Sequence, residues 1–130
     1  MALKVDGSLW AWGENNDGEL GDGTLINKKI PIQVGSETDW KFISAGTNHS
    51  VAIKKEGTIW AWGLNYNGQI GDGTTVDKNV PTKIGIADDW EWVASGFSHN
   101  AAIKKDGTLW CWGYNHRGQL GDGTMAQKTK

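Results

Sequence analysis

One phrase recurs three times in this chain, and the spacing of its copies constrains the fold more than any other feature. It reads LWAWGENNDGELGDGT at residues 9–24, IWAWGLNYNGQIGDGT at 59–74 and LWCWGYNHRGQLGDGT at 109–124. The first tryptophan of each copy lies at position 10, 60 or 110, so the period is 50 residues and no insertion interrupts it. A fixed period of this length predicts a solenoid, a propeller or an array of repeats.

Each copy is preceded by a segment that predicts a β-hairpin. In VAIKKEGTIWAWG the dipeptide Glu-Gly occupies residues 56–57, and Asp-Gly holds the same place in the other copies. Asp-Gly favours a two-residue type I′ turn between antiparallel strands. That turn predicts a register in which Ile53 faces Trp60 and Ala52 faces Ala61. One face would then carry large cross-strand pairs and the other small alanines, which would let blades stack closely.

The rest of each repeat predicts two further strands. DWKFISAG and DWEWVASG run apolar into a small residue and a glycine, whereas IPIQVG and VPTKIG contain Pro31 and Pro81. Proline suits an edge strand or the first residue of a strand, and no sustained helical period is present. Four short strands in about 50 residues are typical of a propeller blade. The sequence therefore predicts an all-β fold, a single array of β-propeller blades over residues 1–130, with hairpin units near 1–24, 51–74 and 101–124.

The pattern A-G-x-x-H-S-x-A-I-x-x-x-G-x-I-W-A-W-G-x-N-x-x-G-Q-I-G-D-G-T resembles the repeat of the regulator of chromosome condensation family. The resemblance runs through the whole chain, and WGxNxxGQLGxG is its most specific portion. It implies a seven-bladed β-propeller. It also implies that a propeller face grips another protein, although the family's roles range from nucleotide exchange on the Ran GTPase to plant UV-B sensing and inhibition of β-lactamases. Such a resemblance speaks for a fold more than for a function.

The length of the chain is short for that fold. Its 130 residues hold about 2.6 repeats, whereas a propeller ring has roughly 4 to 8 blades. The first hairpin lacks a glycine-ended strand before it, and the last lacks a proline-led strand after it. Unpaired end strands favour pairing with another chain or segment. Two hypotheses follow: the chain is a fragment of a longer propeller, or identical copies assemble into a homo-oligomer.

Charge and composition argue against several classes of function. The net charge is −2 with one arginine, so the basic stripe of a nucleic-acid-binding protein is missing. No apolar run approaches the ~20 residues of a membrane helix. The only cysteine, Cys111, cannot form an internal disulfide, and it aligns with Ala11 and Ala61. That alignment favours a small packing residue over a reactive thiol. The cellular compartment stays open.

The residues that the copies share predict structure rather than chemistry. NDGELGDG places oxygen atoms among glycines, but the series Asp17, Asn67, Arg117 at one position argues against a calcium loop. His49 and His99 could hold a metal together, but we expect them to hydrogen-bond buried backbone groups between blades. No catalytic triad or phosphate-binding loop is recognisable. The sequence therefore predicts no enzyme activity, no cofactor and no metal site.

The nine tryptophans predict core rather than light sensing. In the regulator of chromosome condensation family, the plant UV-B sensor carries Gly-Trp-Arg-His-Thr in its repeat. In this chain Thr47 and Phe97 occupy the place of that tryptophan. The motif is therefore absent from both copies. We expect Trp10, Trp12 and their equivalents to pack between blades, because large aromatic side chains dominate such interfaces.

The positions that change between copies predict the binding site. They cluster in the loop after each WG, where the residue types run from acidic through aromatic to basic. Tyrosine and arginine are frequent anchors of protein interfaces, and loops on a rigid scaffold commonly carry function. This predicts a protein-binding scaffold; end-to-end self-assembly and binding of a sugar or other small ligand are the alternatives. The candidate binding residues are Glu14, Asp17, Tyr66, Phe97, Tyr114, His116 and Arg117.

Overall fold

The computed structural model describes all 130 residues and contains ten β-strands. They form three antiparallel sheets, in the orders β1-β2-β3, β4-β5-β6-β7 and β10-β9-β8. The predicted all-β fold of stacked blades is confirmed. No helix has the length and apolar character that crossing a membrane requires. The strands are β1 (Ala2–Leu3), β2 (Leu9–Gly13), β3 (Lys28–Gln33), β4 (Trp40–Ala45), β5 (His49–Lys54), β6 (Ile59–Gly63), β7 (Lys78–Lys83), β8 (Trp90–Ser95), β9 (His99–Lys104) and β10 (Leu109–Gly113).

The middle sheet is a complete blade of four strands. Its first strand, β4, also contacts β8 of the next blade, and its last strand, β7, is an edge strand. Pro81 lies inside β7 rather than at its start, which is Lys78. The pairing of β7 with β6 shifts register between Ala61 and Gly63. An edge strand with an irregular ladder tolerates a residue that lacks an N–H donor.

The hairpin turn differs from the predicted one. Lys54 N donates to Thr58 O (3.0 Å), and Gly57 N donates to Lys54 O (2.8 Å). The loop therefore contains three residues, 55–57, with Gly57 at φ +93°. A type I′ turn would need Glu56 at positive φ as well, and no residue other than glycine adopts positive φ in this chain. A side chain with a Cβ is strained there, so a three-residue turn that ends in glycine forms instead.

This longer turn makes the predicted register wrong by one residue. Ala52 pairs with Trp60 and Ile53 pairs with Ile59. A slip of one residue moves a side chain to the opposite face of a sheet. Each blade therefore has an aliphatic face and an indole face. In the middle blade the aliphatic face consists of Val51, Ile53, Ile59 and Ala61, and the indole face consists of Ala52, Trp60 and Trp62.

Blades stack with the aliphatic face of one against the indole face of the next. Trp62 is 0% exposed and Trp112 is buried in this way, as predicted. Trp12, at the same repeat position in the first blade, is 43% exposed because no blade covers its face here. One core cluster contains Leu9, Ala11, Leu20, Val34, Trp40, Ala52 and Trp62. The other contains Val51, Ile53, Ile59, Ala61, Ile70, Trp90, Val93, Ala102 and Trp112.

Candidate protein-binding face

The loops after β2, β6 and β10 emerge at the end of the blades opposite the hairpin turns. They adjoin the turns between β4 and β5 and between β8 and β9. Leu64 N donates to Asn48 O, and Tyr114 N donates to Ser98 O, both at 2.8 Å. We call this surface the loop face. It comprises residues 14–17, 46–48, 64–67, 96–98 and 114–117.

A buried asparagine holds each loop in shape. Asn65 Nδ2 donates to Thr74 O (3.1 Å), while its Oδ1 accepts from Ile70 N (2.9 Å). Both ends of the amide are thus satisfied inside the loop, as a buried polar group requires. Asn15 and Asn115 make the equivalent bonds in the other copies. These bonds agree with a structural role for the residues that the copies share.

An aspartate near the end of each loop accepts hydrogen bonds from the residues that follow it. Asp22 Oδ1 accepts from the backbone N (2.9 Å) and the hydroxyl (2.8 Å) of Thr24, and its Oδ2 lies 3.0 Å from Lys28 Nζ. Burial raises the pKa of Asp22, but the bonds from Thr24, Lys28 and Asn15 outweigh it and lower the pKa from 3.8 to about 2. Burial likewise raises the pKa of Asp72, but the bonds from Thr74 and Lys78 outweigh it and lower the pKa.

The depressed pKa of Asp22 predicts a loss of stability in acid. Because its pKa is lower in the folded than in the unfolded chain, the ionised carboxylate stabilises the fold above about pH 4, and this contribution is lost as the pH falls towards about 2. The shift corresponds to at most about 2.5 kcal/mol. Urea unfolding between pH 5 and pH 2 measures it. D22N should show a shallower pH dependence than the native chain, and equal slopes would contradict the assignment.

The basic and aromatic end of the loop face lies in the third blade. The rings of Tyr114 and His116 are in contact, with centroids 4.8 Å apart and planes tilted by 44°. Arg117 is exposed, and its backbone N donates to Gln119 Oε1. Phe97 is exposed in the turn that bonds to Tyr114 through the neighbouring serine. The structure thus brings these four predicted residues to one end of the face.

The acidic end of the loop face lies in the first blade. Glu14 Oε1 accepts from Asn16 Nδ2 (2.7 Å). Asp17 Oδ2 accepts from Asn48 Nδ2 (2.7 Å), which joins the first blade to the second. Tyr66 is exposed on the middle blade, between these carboxylates and the basic end.

Sequence reasoning missed the bridging role of Asn48. A signal was present, because the pair Asp17 and Asn48 becomes Asn67 and Ser98 one repeat later. Both positions change together, which is expected of residues that touch across blades. Only the structure shows that they touch.

His49 bonds across to the next blade as expected, but to a different partner. His49 Nε2 lies 2.9 Å from Asn100 Oδ1 in the next blade, and Asn100 Nδ2 donates to Gln69 O (2.7 Å). The partner is a side-chain amide rather than a backbone group. Burial lowers the pKa of His49, with the Asn100 bond opposing and the charge of His99 adding to the shift. No group of three or more His, Cys, Asp or Glu side chains is placed to hold a metal.

Cys111 is a packing residue of the third blade. It lies on the aliphatic face of the third blade and pairs across strands with Ala101. Burial raises the pKa of its thiol. A raised pKa leaves less of the nucleophilic thiolate at neutral pH.

Stacked antiparallel blades that each carry the same recurring loop define a β-propeller repeat protein. The regulator of chromosome condensation (RCC1) repeat matches residues 6–53 and 56–103, and a second description of that repeat matches 40–69 and 93–119. The chain belongs to this family, and the predicted resemblance is confirmed.

Curated relatives match a short part of their own length. The chain is 38% identical over 55 residues to the RCC1 domain-containing protein RUG3, mitochondrial, and to the ultraviolet-B receptor UVR8, both of Arabidopsis thaliana. It is 34% identical over 55 residues to the protein RCC2 homolog of Xenopus laevis. Each match covers 41% of this chain and 11% or 12% of the relative.

Solved structures match nearly the whole chain. Human WBSCR16 aligns with a TM-score of 0.85 at 25% identity, covering 98% of this chain and 35% of that one. Prp20p from Saccharomyces cerevisiae aligns with a TM-score of 0.85 at 24% identity, covering 98% of this chain and 34% of that one. The chain therefore spans about a third of the propellers that it resembles.

Proposed function

We propose that this chain is a protein-binding scaffold that recruits its partner through the loop face and performs no catalysis. One observation carries the proposal: the residues that differ between copies gather on the loop face, while the shared residues form the buried bonds beneath it. A surface whose chemistry varies over a constant frame is suited to recognition.

The charges of the loop face suggest the chemistry of the partner. Acidic groups at Glu14 and Asp17 lie at one end, and the guanidinium of Arg117 lies at the other. A partner with basic residues opposite the first end and acidic residues opposite the second would be steered into one orientation. Tyr66 and Tyr114 would supply contact area between the two ends.

Solved relatives support a binding role for this class of propeller. Prp20p from Saccharomyces cerevisiae has been studied for its binding to Gsp1p and histones, and it has been solved in complex with Kap60. We take from these structures the class of function and not the identity of the partner.

Replacing Tyr114 and Arg117 together by alanine tests the proposal. We expect the double variant to lose at least about tenfold in partner affinity, because removing anchors of this kind costs about 2 kcal/mol or more. The double variant should stay folded, with a loss of stability of about 1 kcal/mol at most, since Arg117 is exposed and Tyr114 is half-buried. The measurement is capture of partner from cell extract, followed by titration of the captured protein.

Lys105→Ala is the matched control, because Lys105 is exposed at the hairpin end, opposite the loop face. It should leave capture intact. Unchanged capture by the double variant, or an equal loss in the control, would contradict binding through the loop face.

Self-assembly is the second candidate, favoured by the two open faces of the array. Trp12 is 43% exposed where Trp62 is 0% exposed, and Leu109 is 66% exposed where Ile59 is 1% exposed. These faces have the composition of the faces buried between blades, so a second copy could reproduce that packing. Light scattering over a range of concentrations measures this. We expect L109E to reduce any associated species, whereas a native chain that stays monomeric would exclude the candidate.

A further inference from the structure

Two pockets lie at corresponding places between successive blades, away from the loop face. The first, between the first and middle blades, has a volume of about 400 Å³ and is walled by Trp40 and Trp60. The second, between the middle and third blades, has a volume of about 560 Å³ and is walled by Trp90 and Trp110. Volumes of this order accommodate small ligands.

In the first pocket the chain supplies its own carboxylate. Glu37 Oε2 lies 3.0 Å from Lys54 Nζ, and Asp39 Oδ1 lies 3.3 Å from the same nitrogen. The Lys54 side chain is only 7% exposed, and Glu37 lines the pocket in front of it. The ammonium is therefore paired twice and covered.

In the second pocket one of these two carboxylates is missing. Ala87 stands one period after Glu37, so Lys104 pairs only with Asp89, at 3.0 Å. The Lys104 side chain is 16% exposed and lines the pocket itself. An ammonium carries three donors, and the partner that occupies one of them in the first pocket has no counterpart here.

The walls of the second pocket are also more apolar. Ile86 and Ala87 replace Ser36 and Glu37 of the first pocket. Lys104 Nζ lies 5.0 Å and 5.2 Å from the ring centroids of the two tryptophans, so its charge sits above their faces. The pocket combines a lysine that has one carboxylate partner with aromatic walls, and Asp72 and Lys130 also line it.

We propose that the pocket between the middle and third blades binds a small carboxylate with an apolar, aromatic body. The ligand's carboxylate would take the place at Lys104 that Glu37 takes at Lys54, and its ring would pack against Trp90 and Trp110. The first pocket is the template, since it shows a carboxylate seated on the equivalent lysine. This site lies apart from the loop face and does not depend on the proposed function.

Titration with 4-phenylbutyrate and the matched alcohol 4-phenylbutan-1-ol tests the proposal. The indole N–H signals of Trp60 and Trp110 report on the two pockets in nuclear magnetic resonance spectra, because each donates to a hairpin threonine in the same way. We expect the acid to shift the Trp110 signal and to bind about tenfold more tightly than the alcohol, as a hydrogen bond to a charged group allows. The Trp60 signal should not move.

Substitutions at Ala87 and Glu37, which occupy the same repeat position, should weaken binding in the second pocket and create it in the first. A87E supplies the missing carboxylate and should weaken binding of the acid roughly tenfold more than the uncharged control A87Q does. E37A opens the first pocket and should make the Trp60 signal respond to the acid. Equal binding of acid and alcohol, equal effects of A87E and A87Q, or a silent Trp60 signal in E37A would each overturn the proposal. Circular dichroism confirms that each variant is folded before titration.

Discussion

Replacing Gly71 by alanine is expected to destabilise the folded chain by about 3 kcal/mol, the sum of backbone strain and steric overlap. Gly71 has φ +83°, where a residue with a Cβ is strained. An added Cβ would also lie 2.7 Å from Nε1 of Trp112. The indole of Trp112 has little room to shift, because it is buried and its Nε1 donates to Gln69 O at 3.0 Å.

The third copy supplies a control that separates the two costs. Gly121 occupies the same repeat position at φ +68°, but an added Cβ would meet nothing within 4 Å. Gly121→Ala should therefore cost only the strain, about 1 to 2 kcal/mol. Urea unfolding of both variants, followed by circular dichroism, measures the difference. Equal losses would show that the overlap with Trp112 is relieved at no cost.

Truncating Trp62 to alanine is expected to cost about 3 to 5 kcal/mol, as for other large buried aromatic side chains. Trp62 is fully buried between the first and middle blades. Its Nε1 donates to Glu19 O at 3.0 Å, and its ring lies 6.2 Å from that of Trp40. The variant would lose this packing and leave a buried carbonyl with one donor fewer, from Ser50 alone.

Trp12→Ala is the matched control for this substitution. Trp12 has the same sequence neighbours as Trp62, but it is 43% exposed. We expect it to cost about 1 kcal/mol, in the range of partly exposed positions. The free energy of unfolding from urea titration decides the comparison, and similar values for the two variants would contradict the stacking described above.

Local patterns predicted the parts of the fold that depend on neighbouring residues. The period of 50 residues gave the repeat, and the glycine-rich phrase gave a tight loop in which Asn65 and its equivalents bond to nearby backbone. The register of the hairpin was harder to predict from the sequence. The choice between a two-residue and a three-residue turn depends on whether Glu56 can adopt positive φ, and the dipeptide alone does not reveal it.

Part of the candidate site could likewise be predicted from the sequence, and part could not. Comparison of the copies located the variable loops, because equivalent loops of stacked blades share one face. The contact of Asp17 with Asn48 and the single carboxylate partner of Lys104 were not deduced. Both involve residues from different strands or blades, although the change from Glu37 to Ala87 stood in the sequence as a signal.

The sequence by itself determined the blade: its period, its strands and the residues that hold its loops, all encoded within one copy. Only the tertiary structure decided which surfaces are buried. Trp12, Trp62 and Trp112 lie in nearly identical phrases, yet the first is half exposed and the others are buried. The physical reason is that burial is a property of two blades in contact, since an indole leaves water only where the aliphatic face of a neighbouring blade covers it.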